Sequence, residues 1–312
     1  MTMAEKQSRL VNPSSTLKRQ SMLVNAMQEI GQKNEQRITG QFGRVAVIAM
    51  EGVKLNSGEM DFEFTCEGDD DVAANEAEII IYNLSMDTAK QFQKDKKISI
   101  TAGYQDDTGV IFSGVIVKVK DKFEGCDRIT TINALDDVSR KEKKVDSISY
   151  AAGTKASYIL KDLCGKVGLP VAVFAVQRDH TYKDAVTVDG DIISSIQQYA
   201  KVCGVSAYIN KGQIYVRSLQ EGDDIEFYVH MSTGLIGSPE EFEEEEENEE
   251  YTDMIKGVRF TMLLQHRITT AAKIKLESRN IWGHYRVRSW KFTFNESEAT
   301  TEVEAIIDNN WQ

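Results

Sequence analysis

The residues in this sequence that could do chemistry are four histidines, four cysteines and an excess of carboxylates. The histidines (His180, His230, His266, His284) stand far apart and none belongs to H-E-x-x-H or another helical ligand pair, so each reads as a surface or interface side chain. The cysteines (Cys66, Cys126, Cys164, Cys203) lack the short repeated spacings of a zinc site, and in a chain this long they read as reduced, mostly buried thiols. Acid pairs such as Asp136 with Asp137, or Asp189 with Asp191, could cleave a glycan only at a separation that the fold must set, and acidic residues are expected at strand ends anyway. Asp69-Asp70-Asp71 and the run Glu240–Glu250 lack the spaced oxygens and glycine of a calcium loop and read as solvated charge. No G-x-S-x-G, P-loop or strand-linked G-x-G-x-x-G occurs. No catalytic, cofactor-binding or metal-ligating residue is therefore assigned, and no cofactor is expected.

The elements that would hold any such group follow from periodicity. In residues 1–43, Leu23, Met27 and Ile30 form a helical stripe, either folded back on its own domain or docking on a neighbouring subunit as an arm. Met60–Cys66 alternates apolar and polar residues as a half-buried strand does, and Ile79–Tyr82 reads as a second strand, followed by a short helix capped by Ser85. Ile98–Tyr104 and Val110–Lys120 flank the turn residues 105–109, whose last residue, Gly109, suits a positive φ, and Ile129–Ala134 adds another strand. These strands predict a first β-barrel domain over 44–145, closed or nearly so.

Helical spacing of Ala156, Ile159, Leu160, Leu163 and Val167, and of Ile192, Ile196, Tyr199 and Cys203, with a hairpin over 205–217, predicts a small α/β domain at 146–218. Strands at 256–264, 270–276, 284–293 and 300–307 predict a second β-barrel domain over 219–312, carrying an acidic, mobile loop at 239–250 whose deletion should leave the chain folded. The fold class is α+β, mainly β: two antiparallel barrel-like domains flank an α/β unit, behind an N-terminal helical arm. The flanking arrangement hints at duplication, though no residue-level repeat supports it.

Length, charge and composition bound the function. At 312 residues the chain favours two or three domains, and 41% hydrophobic with 28% charged residues is ordinary globular composition. A net charge of −12 disfavours specific nucleic-acid binding, which draws its affinity from Lys and Arg on phosphates. No apolar run approaches the roughly 18 to 20 residues of a membrane helix, and the N-terminus lacks a signal-peptide core, so no membrane insertion is expected and the chain reads as made in a cytoplasm.

Ala77–Ser85 (AEIIIYNLS) followed by Ile98–Ile116 (ISITAGYQDDTGVIFSGVI), the helix and hairpin of Ile192–Arg217, Gly234–Pro239, Leu263–Ile268 and Gly283–Val287 resemble, in order and spacing, the hub proteins of phage tail baseplates. The match covers nearly the whole chain after residue 44, and no motif in it is catalytic. The resemblance implies a homotrimeric hub of a contractile-type tail, related to the hub part of valine-glycine-repeat spike proteins. Two β-domains per subunit would form a pseudo-six-fold ring that joins the tail tube to a central spike. Its implied partners are the tube protein, a separate spike protein, and other baseplate proteins together with the tape measure. Its implied place is the virion, after assembly in the host cytoplasm. The Glu run has no part in that pattern and either tunes solubility or projects from the ring. The reading weighed against it is a cell-wall-binding or peptidoglycan-cleaving tail component.

Overall fold

The computed structural model describes residues 42–136, 144–210, 213–221, 226–247 and 252–308 of the chain. The predicted helical stripe at Leu23–Ile30 lies outside the described residues.

The chain is mainly β. One mixed but largely antiparallel sheet of 13 strands dominates it, with two small sheets and two packed helices beside it. Its strands are β1 (Arg44–Met50), β2 (Val53–Asn56), β3 (Phe62–Gly68), β4 (Glu76–Tyr82), β5 (Lys97–Tyr104), β6 (Asp107–Glu124) and β7 (Asp127–Leu135) from the first half. From the second half come β13 (Glu226–Val229), β14 (Leu235–Glu247), β15 (Thr252–Leu263), β16 (Lys273–Glu277), β17 (Trp282–Phe294) and β18 (Ala299–Ile307). The intervening segment contributes β8 (Lys144–Tyr150), β9 (Val171–Phe174), β10 (Val186–Asp191), β11 (Ser206–Asn210) and β12 (Gln213–Arg217) to the two small sheets.

The strand order is β14-β15-β18-β17-β3-β4-β7-β6-β5-β1-β2, with β13 and β16 branching from β17. This differs from two separate barrels. The free edges that each half would need to close on itself, those of β3 and β17, are used to pair with each other, from Trp290 opposite Gly68 to Phe294 opposite Phe64. Among the described residues no strand pairing closes either half. Reading outward from that seam, one side runs β4, β7, β6 and the other β18, β15, β14, so each half sets a second hairpin beside the one at the seam, later in the chain in the first half and earlier in the second.

The alternation seen in the sequence explains why the seam holds. Phe62, Phe64 and Cys66 all point into one apolar core shared by both halves, with Ile79, Ile132, Phe292 and Phe294. Phe64 stacks on Phe294 at 5.2 Å between ring centroids, and such aromatic contacts add about 0.5–1.5 kcal/mol to the burial itself.

The intervening segment has its own core. Helices α2 (Ala156–Val167) and α3 (Ile192–Val202) pack Ile159, Leu163, Ile196 and Tyr199 against β10, β11 and β12. Helix α2 ends at Gly168, in the left-handed conformation with φ 85°. Asp191 caps α3 by accepting from the Ser194 N–H at 2.8 Å. The short helix α1 (Met86–Ala89) is capped by Ser85, whose Oγ accepts from the Thr88 N–H.

Two local expectations are corrected. The 105–109 turn is shorter than expected: Tyr104 pairs with Asp107, leaving Gln105-Asp106 as the connection. Gly109 sits within β6, where a Cβ would come 2.0 Å from the His266 ring, so lack of bulk rather than a positive φ demands glycine there. The acidic run is likewise no loop over its described part. Glu240–Glu247 is paired residue by residue with Arg259–Thr252 in β14–β15, because cross-strand cations offset the repulsion. Lys256 binds Glu243 at 2.6 Å, Arg259 binds Glu244 at 2.6 Å, and Phe242 lies buried under the Arg259 guanidinium.

Phe112→Ala, at a site 4% exposed in the shared core, should lower the unfolding free energy by about 3–5 kcal/mol in a denaturant titration. Excising 240–250 should now lower the melting temperature measurably, since it strips a paired strand and uncovers Val258 and Phe260; an unchanged transition would restore the loop reading.

Candidate functional site

The polar residues gather along the seam rather than around a reactive pocket. Asp69-Asp70-Asp71, in the β3–β4 connection, is a junction of three parts of the molecule. Gln197 of α3 donates to the Asp71 carboxylate at 2.6 Å, and Ser206 of β11 donates to Asp70 at 2.9 Å. From the second half, the Thr270 hydroxyl donates to the Asp69 carbonyl at 2.8 Å, and Arg288 of β17 lies 3.6 Å from Asp70. Arg288 also reaches Glu244 of β14 at 3.1 Å and Glu304 of β18 at 3.3 Å. The acidic turn therefore ties the α/β segment and both sheet halves together, which corrects its reading as merely solvated charge.

Crowding sets the charge state of this turn. The Asp69 carboxyl is pushed up to about 6, first by burial and next by the neighbouring Asp71 charge, against the opposing effects of the Asp71 N–H it accepts and of Arg288. Burial alone would weaken the Arg288 charge, but Asp70, Glu244 and Glu304 more than compensate.

A second clasp joins the far end of the β5–β6 hairpin to the second half. Arg267 grips Asp107 with both terminal nitrogens, at 2.6 and 2.5 Å, and takes Gln265 Oε1 at 3.0 Å. Burial alone would raise the Asp107 carboxyl; Arg267, with His266 beside it, holds it below the ordinary value. His266 is pushed down by burial and by Arg267, so it is neutral at neutral pH. Deeper in the second half, Arg286 and Asp308 form a buried ion pair at 2.9 Å.

Beside the acidic turn and along the seam lies an open cleft of about 780 Å³, walled by Asp69, Asp71, Asn75, Arg259, Trp290 and Glu304. The Trp290 ring lies flush on Gly68, where a Cβ would stand 2.6 Å from it, so the seam accepts only glycine opposite this indole.

The residues considered for chemistry do not converge. His180 packs edge-on to Tyr182, His230 caps a short 3-10 turn, His266 belongs to the clasp, and His284 meets Glu226 at 2.9 Å. Asp136 accepts from the Asn75 backbone and side chain, Asp191 is a helix cap, and Asp137 lies outside the described residues. Cys66, Cys164 and Cys203 are buried free thiols and Cys126 is an exposed one; burial raises Cys164 and Cys203 to about 12 and Cys66 further, so the buried three stay protonated. Among the described residues no cluster of three His, Cys, Asp or Glu is placed to hold a metal ion. No helix among them is long and apolar enough to cross a membrane. Sequence reasoning missed Arg259, Arg267 and Arg288. For Arg259 and Arg288 the signal was arginine on strands facing the glutamates of neighbouring strands, Glu244 and Glu304, readable only once register is known; Arg267 lies in a turn and finds Asp107 across the fold.

A model of the baseplate hub gp41 family matches residues 73–300. The chain belongs to that family. No curated protein gives a significant match. Among solved structures, it is similar to the tail protein from Neisseria meningitidis MC58 (TM-score 0.58, 8% identity, 86% of this chain and 98% of that one). It is equally similar to the 43 kDa tail protein of prophage MuSo2 from Shewanella oneidensis (TM-score 0.60, 6% identity, 86% and 98%). A type VI secretion component from E. coli, described as structurally similar to the T4 tail proteins gp27 and gp5, also matches (TM-score 0.55, 10% identity, 84% and 77%). At such identities the likeness is one of fold. The family gives this baseplate hub protein its role as a structural part of a phage tail.

Because the folded Asp69 carboxyl sits above its ordinary 3.8, the folded chain binds the proton more tightly than the unfolded one. This group's contribution to stability is therefore complete below about pH 4 and lost as pH rises through about 6. Asp69→Asn keeps the local acceptor and removes the charge. Its melting temperature should match wild type near pH 4 and exceed it increasingly up to about pH 6; an offset independent of pH would show that Asp69 does not titrate in this way.

Proposed function

We propose that this hub protein assembles as a homotrimer whose six sheet halves make a pseudo-six-fold ring, joining the tail tube on one side to a central spike protein on the other. The observation that carries the proposal is that one chain holds two β-halves joined at the β3–β17 seam, each setting a second hairpin (β6–β7, β14–β15) beside the hairpin at the seam (β3–β4, β17–β18). Three chains, each offering two such halves, match a six-fold partner on one face and a three-fold partner on the other. The domain division that goes with it is an arm over 1–43, a first β-domain over 44–145, an α/β unit over 146–218 and a second β-domain over 219–312, the two β-domains sharing one sheet.

On this reading the chain is structural and not an enzyme, in a contractile-type tail or a related injection machine. It needs no cofactor and binds no nucleic acid specifically; the net charge of −12 supports passage of DNA without adhesion. The tape measure and other baseplate proteins are further partners, and assembly takes place in the host cytoplasm.

The mass of the purified chain in solution tests this, alone and with co-expressed tube and spike proteins. A species near three times 35.1 kDa, alone or on addition of a partner, is expected. A persistent monomer that releases fragments from peptidoglycan would replace the hub reading with that of a wall-acting tail component.

A further inference from the structure

We propose that residues 1–41 of this chain dock on its own body as a basic strap, entering at Phe42 and running through two adjoining clefts beside the β3–β17 seam.

The clefts lie where the described chain begins. The smaller, of about 500 Å³, is walled by Phe42, Arg44, Tyr104, Ile236, Leu263 and Thr300. Ile236 also walls the cleft of about 780 Å³ along the seam, so the two adjoin at that residue. The entry is pinned on both sides: the Gln105 N–H donates to the Gly43 carbonyl at 3.1 Å, and the Arg44 guanidinium donates to the Glu296 carbonyl at 2.8 Å. Phe42 is 86% exposed and Ile236 42%, which leaves two apolar side chains uncovered at the entrance.

What the clefts lack is what a peptide brings. Among the described residues, two buried side-chain polar atoms have no hydrogen-bond partner, the Tyr104 hydroxyl and Trp290 Nε1. Tyr104 walls the smaller cleft and Trp290 the larger. Both groups donate, and the main-chain carbonyls of a passing segment accept. Glu67, Glu240 and Glu302, which wall the larger cleft, are exposed and form no ion pair among the described residues. Arg259 is already shared by Glu244 and Glu304, and Lys291, between Glu67 and Glu302 in register, offsets one charge.

Charge and reach select the occupant. Residues 1–41 carry Lys6, Arg9, Lys18, Arg19, Lys33 and Arg37 against Glu5, Glu29 and Glu35, a net charge of +3; with −12 for the whole chain, the remainder carries −15. The basic part of the chain thus joins the acidic part at the mouth of the acidic clefts. Glu302 is one two-residue step along β18 from Thr300, about 7 Å, and Glu67 lies two strands beyond it, about 10 Å further. Nine residues separate Lys33 from Phe42 and span about 30 Å when extended, so Lys33 and Arg37 both reach these carboxylates. Ile38 then brings an apolar side chain to Phe42 and Ile236.

Two experiments on the full-length chain test this. Isotope-labelled and unlabelled chains are refolded together and treated with a carbodiimide, which condenses a lysine amine with a glutamate carboxyl and takes up the water released. Amide cross-links from Lys33 to Glu67, Glu240 or Glu302 should join heavy to heavy and light to light. Trypsin should cut after Lys33 and Arg37 slowly at low salt, and about tenfold or more faster in the triple variant Glu67→Gln, Glu240→Gln and Glu302→Gln; should that variant not fold, Glu302→Gln alone should give part of the increase. Heavy-to-light links would overturn the proposal by making a second copy's segment the occupant. Links from Lys33 to other segments, or cleavage rates indifferent to the cleft glutamates, would overturn it outright. Both readouts apply to a monomer as to a trimer, so failure of the ring reading leaves them decisive.

Discussion

The antiparallel pairing of β3 with β17 is the constraint on which the rest of the structure depends. It joins segments from opposite ends of the chain, merges two apolar faces into one core and sets Phe64 against Phe294. With β3 and β17 bonded to each other, neither half has both edges free to curl closed. The outermost strands, β2 of the first half and β14 of the second, then lie at the two ends of one strand order. The α/β segment is then a lateral addition with its own core, held to the sheet through the acidic turn.

The electrostatics follow the same division. A chain of net charge −12 can hold a strand as acidic as β14 only by placing its few arginines where several carboxylates converge. Arg288 and Arg259 do this, each touching Glu244 and Glu304, and Arg288 adds Asp70. Exposed ion pairs of this sort contribute little one at a time, about 0–1 kcal/mol, but as a network they fix which strand lies beside which. Arg267 on Asp107 makes a similar tie between the halves at the hairpin end.

Much of the fold was legible from period alone. The alternation at Phe62–Cys66, the capped helix after Ser85, and the two helices ending near Gly168 and Gly204 stand where the sequence puts them, because each is decided by neighbours within a few residues. What failed was decided by distant residues. The Glu run reads as a repelling loop until Arg259, Lys256 and Arg288 are known to face it, and Gly109 reads as a turn glycine until His266 is known to lie on it. The same holds for the sheet: local pattern identifies strands, but only long-range register shows that β3 takes β17 as its neighbour. The acidic turn at Asp69–Asp71 was visible as a cluster, while its partners Gln197, Ser206, Thr270 and Arg288 were not.

The sequence distance spanned by the seam has a consequence for how the chain is made. Thr270 and Asp69, which bond beside it, are 201 residues apart, and β17 lies further still toward the C-terminus. On the ribosome, β3 therefore emerges long before its partner and must wait with an unpaired edge beside exposed phenylalanines while the α/β segment is synthesised and folds. Such a nascent chain is a natural client for holding chaperones. Its yield on expression should depend more on how quickly the last strands are delivered than on the stability of the finished sheet.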